Sequence, residues 1–156
     1  FASLPVNTWL LAIGSAQRIP EYRKMADDLG LGSRVVFHGA LKDITVAYSA
    51  ADVLAHPTLE DTFAMVVLEA MVHKIPVVVS DETYCGIASM LMDGVNAVVL
   101  PYPKDPVAIA NALNAILGKT EYRQALAAKA FEFACQHTWA AKAQAQEAMY
   151  FELLDR

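Results

Sequence analysis

Short apolar runs alternate along the chain with longer segments in which apolar residues recur at helical spacing. Short runs of this kind are typical of strands buried on both faces of a parallel sheet, and the segments between them are typical of crossover helices. The pattern therefore predicts an α/β fold with a doubly wound, Rossmann-like parallel sheet in three layers, α/β/α, followed by C-terminal helices. The predicted strands are residues 9–14, 34–39, 51–57, 76–80 and 96–100.

Helix boundaries are marked by capping and breaking residues. Pro20 suits the first turn of a helix and Gly30 its end, while Asp105 with Pro106 opens a later helix that should end at Gly118. In a doubly wound sheet, ligands bind at the carboxyl ends of the strands, so the residues that follow each predicted strand are the candidates for a site. The other predicted helices are 42–50, 62–74, 86–93, one opened by Thr120, and one from Thr138 to Leu154.

One carboxylate, Glu69, interrupts an otherwise apolar stretch within the predicted helix 62–74. Such a stretch predicts a helix buried nearly all round, where an unpaired charge would be costly, so we expect Glu69 to have a partner or a ligand. Glu60, Asp61 and Thr62 form an acidic entrance to this helix, and Asp61 or Thr62 can cap its free backbone N–H groups. Carboxylates next to a helix N-terminus suit a ligand with hydroxyl and phosphate groups.

Composition narrows the class of ligand. The 156 residues are 56% hydrophobic with a net charge of −5 and scattered basic residues, which predicts one folded domain that binds a small molecule and no nucleic acid. The apolar runs fall short of the roughly 20 residues of a membrane-spanning helix. The two cysteines, Cys85 and Cys135, match no metal-ligand spacing, so we expect no metal site and a reducing compartment. No base adjoins Cys85, so we do not expect it to be a nucleophile.

Several linked segments carry a family resemblance, in the order LLAIG, LGLGSRVVFHGALKD, AYSAADVLAHPTLEDTFAMVVLEAM, IPVVVSD and CGIASMLMDGVNAVVL. Together they resemble the C-terminal, donor-binding domain of GT-B-fold glycosyltransferases, specifically glycosyltransferase family 4, over essentially the whole chain. The ASLP, HP and CG segments look like the lipopolysaccharide-core glucosyltransferase branch of that family.

The resemblance implies a reaction and its partners. A sugar is transferred from a nucleoside-diphosphate sugar, with a UDP-sugar favoured, to an acceptor hydroxyl, with retention at the anomeric carbon and without a metal ion or other cofactor. The acceptor is expected to be a glycan of lipopolysaccharide or another surface polysaccharide. The resemblance further implies a cytoplasmic enzyme, with peripheral attachment at the inner face of the membrane.

Site residues follow from the family's E-x7-E motif, in which the first acid contacts the donor sugar and the second the ribose hydroxyls. By spacing, Asp61 takes the first place, as the catalytic candidate, and Glu69 takes the second. Because Asp is one methylene shorter than Glu, Glu60 is an alternative for the sugar contact. Thr62 and Ala64 stand where the family usually has glycine, and their β-carbons keep backbone donors farther from a ligand. The other expected ligand contacts are the backbone of Phe63, the nucleotide-base contacts Gly39, Ala40 and Leu41, and Gly86 facing the phosphates.

The same residues have structural alternatives. Glu69 could bond backbone amides or His73 one turn further on, and Asp61 could be a plain helix cap. The turn at 39–41 could be an ordinary connection, and His56 a structural histidine at a strand end. Two other function classes are open: a non-catalytic nucleotide-binding α/β module, and a GT-B-like sugar-nucleotide epimerase.

The resemblance also carries expectations about the extent of the chain. Residues 1–156 correspond to the second domain of a two-domain enzyme, with the N-terminal acceptor domain and the first strand of this domain outside the sequence. The family's basic pair that neutralises the diphosphate lies outside it too, so we expect the chain alone to be inactive. Because that absent strand is central in the family's sheet, we expect a strand from elsewhere to pair between the strands at 9–14 and 51–57.

Overall fold

The computed structural model describes residues 1–154, which form two compact units, residues 1–47 and 48–154. In the first unit, strands β1 (Leu10–Ile13) and β2 (Val35–His38) pair in parallel, with Leu10 opposite Val35. Helix α1 (Ile19–Asp28) connects them and ends just before Gly30, which has a φ of 69°. The core of this unit consists of Ala26, Leu31 and Val35, with Phe1 and Phe37 packed against it.

The second unit contains a three-stranded parallel sheet. Its strands are β3 (Leu54–His56), β4 (Val77–Ser80) and β5 (Val98–Leu100), in the order β3-β4-β5. Every residue of the central strand β4 is buried. Its three consecutive valines suit this position, because β-branched apolar residues favour a strand that is covered on both faces. The carboxyl ends of these strands lie at one edge, where the connecting loops can meet.

Helices complete the chain: α2 (Thr45–Ala50), which crosses the boundary between the units, then α3 (Met65–Val72), α4 (Pro106–Gly118), α5 (Thr120–Cys135) and α6 (Trp139–Leu154). Helix α3 packs against α5, and α4 packs against β4 and β5. The side chain of Asp105 caps α4 by accepting hydrogen bonds from two backbone N–H groups of its first turn. Helix α6 contains no buried residue among those described. None of the helices within residues 1–154 is both long enough and apolar enough to span a bilayer.

The predicted α/β class, with parallel strands joined by helices, is confirmed. Two helix predictions need correction. The predicted helix 62–74 begins three residues later, at Met65, and one side of it is exposed, including Val66, Glu69 and Val72, so it is not buried all round. The predicted helix 86–93 is a shorter 3-10 helix, Gly86–Met90.

The unpaired edges of β1 and β3 are the places where the expected additional strand would pair. Within residues 1–154, β1 pairs with β2 alone, and β3 pairs with β4 alone. Each therefore keeps one edge whose backbone groups have no ladder partner in the described chain. The participation of a strand from outside these residues stays a prediction.

Candidate functional site

Two loops meet at the carboxyl edge of the second sheet. The loop after β3 and the loop after β4 are joined by a parallel backbone bridge between Asp61 and Cys85. The Asp61 N–H donates to the Tyr84 carbonyl oxygen at 2.9 Å, and the Gly86 N–H donates to the Asp61 carbonyl oxygen at 3.0 Å. Nearer the sheet, the buried Ser80 hydroxyl donates to the Thr58 carbonyl oxygen at 2.7 Å. The two loops therefore form one hydrogen-bonded unit.

The close approach of the loops requires a glycine at position 86. A β-carbon on Gly86 would overlap the Thr62 carbonyl oxygen and would lie 3.0 Å from the Thr62 carbonyl carbon. Both neighbouring atoms belong to the backbone, so they cannot move aside as the end of a flexible side chain can. Gly86 thus has a structural role in the bridge that its position in the sequence did not reveal.

Asp61 organises the entrance to α3. Its Oδ1 accepts hydrogen bonds from the N–H groups of Phe63 at 3.1 Å and Ala64 at 2.6 Å, and its Oδ2 lies 3.2 Å from Nε2 of His56. Partial burial acts to raise the pKa of Asp61, but the bonds from Ala64, Phe63 and His56 outweigh it, so the pKa is below its usual value. Ala64 has a left-handed φ of 58°, and the helix begins after it, at Met65.

Glu69 is exposed, so the expectation of a buried carboxylate is wrong. Its Oε2 accepts a 2.8 Å hydrogen bond from the hydroxyl of Tyr48, which also lies 3.4 Å from the Val66 carbonyl oxygen. The Tyr48 ring stacks on His73, with ring centroids 5.2 Å apart and an interplanar angle of 21°. The partner of Glu69 is therefore Tyr48 rather than His73. His73 instead packs against the tyrosine ring. Burial, followed by the hydrogen bond to Glu69 and the Glu69 charge, raises the pKa of Tyr48 well above its usual value.

The two loops line an open cleft of about 300 Å³ whose rim is acidic. Among its lining residues Cys85 is fully buried, and burial together with the charge of Asp61 raises the pKa of its thiol. A protonated, inaccessible thiol is a poor nucleophile. The lining residues are Glu60, Asp61, Thr62, Glu82, Thr83, Tyr84, Cys85 and Gly86.

The structure brings some of the predicted site residues together. Four of them line the cleft: Glu60, Asp61, Thr62 and Gly86. Phe63 and Ala64 lie in the same loop, and Glu69 lies further along on α3. Gly39, Ala40 and Leu41 follow β2 in the first unit, as expected, and their contact with a nucleotide base stays a prediction.

Sequence reasoning missed Tyr48, Glu82 and Thr83. Tyr48 precedes Glu69 by 21 residues, and no spacing rule connects them. The other two follow Asp81, whose Oδ1 accepts from the Thr83 N–H at 2.9 Å, and an Asp at the end of a strand is a recognisable turn signal. No group of three or more His, Cys, Asp or Glu side chains within residues 1–154 is placed to hold a metal ion.

Comparison with known proteins identifies one family, the glycosyltransferases. The family model described as "Glycosyl transferases group 1" matches residues 3–119. D-inositol 3-phosphate glycosyltransferase of Corynebacterium diphtheriae is 32% identical over 139 residues, which are 88% of this chain and 32% of that protein. Lipopolysaccharide glucosyltransferase WaaG of Escherichia coli is 29% identical over 132 residues, 85% of this chain and 34% of that protein. The chain thus spans about a third of the length of these relatives.

Solved structures show the same similarity. The crystal structure of WaaG, a glycosyltransferase involved in lipopolysaccharide biosynthesis, has a TM-score of 0.78 at 27% identity, covering 94% of this chain and 40% of that one. Anabaena Alr3699/HepE in complex with UDP-glucose has a TM-score of 0.84 at 26% identity, covering 97% of this chain and 42% of that one. The Rossmann-like class is therefore confirmed.

Proposed function

Because the chain belongs to the glycosyl transferases group 1 family, we propose that it forms the donor-binding part of a retaining glycosyltransferase. The enzyme transfers a sugar from a nucleoside-diphosphate sugar to an acceptor hydroxyl. One observation carries this proposal: an exposed glutamate, Glu69, stands on the helix that follows an acidic cleft at the carboxyl edge of a parallel sheet. This is where α/β folds bind ligands, and carboxylates there accept hydrogen bonds from the hydroxyl groups of ribose and sugar.

The charge of the cleft favours the sugar over the diphosphate. Its rim carries the carboxylates of Glu60, Asp61 and Glu82, and its lining within the described chain contains no Lys or Arg. Three carboxylates without a neighbouring cation repel a phosphate but suit neutral hydroxyl donors. We therefore assign donor-sugar contacts to Glu60 and to Oδ2 of Asp61, and ribose contacts to Glu69.

The backbone of the loop constrains this assignment. Phe63 and Ala64 are the positions where the resemblance implies backbone contacts with the ligand, but their N–H groups donate to Asp61 in this structure. We propose that Asp61 holds the loop through Oδ1 and contacts the donor sugar through Oδ2. Thr62 then lines the cleft, and Phe63 and Ala64 hold the loop through their hydrogen bonds to Asp61.

The relatives guide the choice of donor and acceptor. HepE has been crystallised with UDP and with UDP-glucose, and WaaG is named as a lipopolysaccharide glucosyltransferase. We propose a UDP-sugar donor and a surface-polysaccharide acceptor for this protein, with catalysis in the cytoplasm and peripheral attachment at the inner face of the membrane.

The rest of the catalytic machinery is assigned to residues beyond this domain. Electrostatic stabilisation of the leaving diphosphate is a large catalytic contribution, and the cleft supplies acidic groups in place of basic ones. We propose that residues 1–156 bind the donor and that the acceptor domain and the basic groups come from another part of the enzyme. Acceptor-dependent UDP release by the isolated chain would contradict this division.

Nucleotide binding is the direct test. A thermal-shift panel of UDP-, ADP- and GDP-sugars identifies the base, and calorimetry then compares UDP affinity in wild type and Glu69→Gln. Charge-assisted hydrogen bonds contribute about 1.5–3 kcal/mol, so we expect affinity to fall by about one to two powers of ten with little change in melting temperature.

Glu147→Gln, at an exposed position on α6, is the matched control and should bind UDP as wild type does. Unchanged affinity in Glu69→Gln, or a large fall in its melting temperature, would return Glu69 to a structural role. A wild type that binds none of the nucleotides would contradict the proposed function.

A further inference from the structure

The Glu69 side chain is held by a hydrogen bond from a buried tyrosine, Tyr48. Tyr48 is 8% exposed, and its ring is held by stacking on His73. The hydroxyl at the end of this fixed ring donates to Oε2 of Glu69 at 2.8 Å. A glutamate on an exposed helix face otherwise samples several rotamers, so this bond restricts a mobile side chain.

The bond leaves acceptor capacity on the carboxylate. An ionised carboxylate offers about four lone-pair sites, and Tyr48 uses one of them at Oε2. The described residues place no donor on Oε1, which is therefore the oxygen available to ligand hydroxyls. The Tyr48 hydroxyl is protonated across the physiological range, and burial and Glu69 raise its pKa further, so its proton stays available for this bond.

We propose that Tyr48 is a positioning residue that holds the Glu69 carboxylate in the orientation which accepts the ribose hydroxyls of the donor nucleotide. This inference rests on the proposed function of Glu69. Restricting the carboxylate before the ligand arrives lowers the ordering cost of binding, so Tyr48 raises affinity without contact with the nucleotide.

Tyr48→Phe tests the role because it removes the hydroxyl and keeps the ring on His73. We expect UDP affinity to fall by about three- to tenfold, because the Glu69 side chain must then be ordered when the nucleotide binds. The melting temperature should fall by no more than about 4 °C, since the exposed Glu69 can turn to water. Tyr150→Phe is the matched control, because the Tyr150 hydroxyl also bonds a side chain, Gln146, and it should bind UDP as wild type does.

A double-mutant cycle separates positioning from general stability. If Tyr48 acts through Glu69, Tyr48→Phe should cause no further loss in the Glu69→Gln background. Equal losses in both backgrounds would overturn the positioning role while leaving nucleotide binding, and so the proposed function, intact. A wild type that does not bind UDP would overturn both.

Discussion

Replacing Gly86 with alanine should destabilise the second unit through a backbone clash. The added β-carbon would overlap the Thr62 carbonyl oxygen, and it would lie 3.0 Å from the carbonyl carbon, inside the about 3.5 Å at which carbon atoms attract. The chain has two ways to respond. Either the loops keep their positions and carry the strain, or they separate and the bridge between Asp61 and Cys85 opens.

Both responses cost a similar free energy. Overpacking a well-packed site costs about 1–3 kcal/mol. Opening the bridge breaks two backbone hydrogen bonds, Asp61 N–H to Tyr84 and Gly86 N–H to Asp61, at about 1 kcal/mol each. We therefore expect the free energy of unfolding to fall by about 2 kcal/mol, which for a chain of this size lowers the melting temperature by about 4–8 °C.

Urea unfolding followed by circular dichroism, together with a thermal melt, measures the change. Gly118→Ala is the control, since a β-carbon at Gly118 has no atom within 4 Å and the residue ends helix α4. It should alter the free energy of unfolding by no more than about 0.5 kcal/mol. A Gly86→Ala protein that melts within about 1 °C of wild type would refute the close approach of the two loops.

Three further substitutions test other parts of the fold. Asp61→Asn should lower the free energy of unfolding at pH 7 by about 1 kcal/mol. Because the pKa of Asp61 is depressed, the difference from wild type should shrink as the pH falls below about 4. Urea unfolding of both proteins at pH 7 and at pH 3 measures this change. Lys74→Gly should stabilise the protein by about 0.5–1 kcal/mol, because Lys74, two residues after the end of α3, has a left-handed φ of 58°; a lower melting temperature would contradict this. Asp105→Ala should cost about 1 kcal/mol by removing the cap of α4, and a thermal melt equal to that of wild type would argue against the cap.

The elements that the sequence predicted well are those set by local stereochemistry. Helix α4 runs from Pro106 to Gly118, as the Asp105–Pro106 start and the glycine end predicted. The strand at 76–80 was found as β4, because consecutive β-branched residues favour an extended, fully buried chain. Such signals lie within a few residues of the feature that they specify.

Most of the features that sequence reasoning missed depend on contacts between distant residues, and one, the late start of α3, is local. The late start of α3 follows from the left-handed Ala64, which the Asp61 carboxylate stabilises from outside the helix. The exposure of Glu69 depends on which neighbours cover each side of α3, and apolar periodicity does not report them. Of the site, the acidic loop and Gly86 could be placed by their positions after predicted strands. Tyr48 could not be predicted as a site residue, because it lies 21 residues before Glu69 in the sequence and contacts it only in the folded chain.

The bridge between the loops has a consequence for how this cleft can change over evolution. Its hydrogen bonds join main-chain atoms of Asp61, Tyr84 and Gly86, so they form whatever side chains stand at most of the surrounding positions. Glu60 and Glu82 project from this framework and are exposed. Mutation can therefore exchange the chemical groups on the rim while the frame beneath them persists. Selection for a different ligand could act on these positions without first rebuilding the scaffold, provided that residue 86 stays glycine.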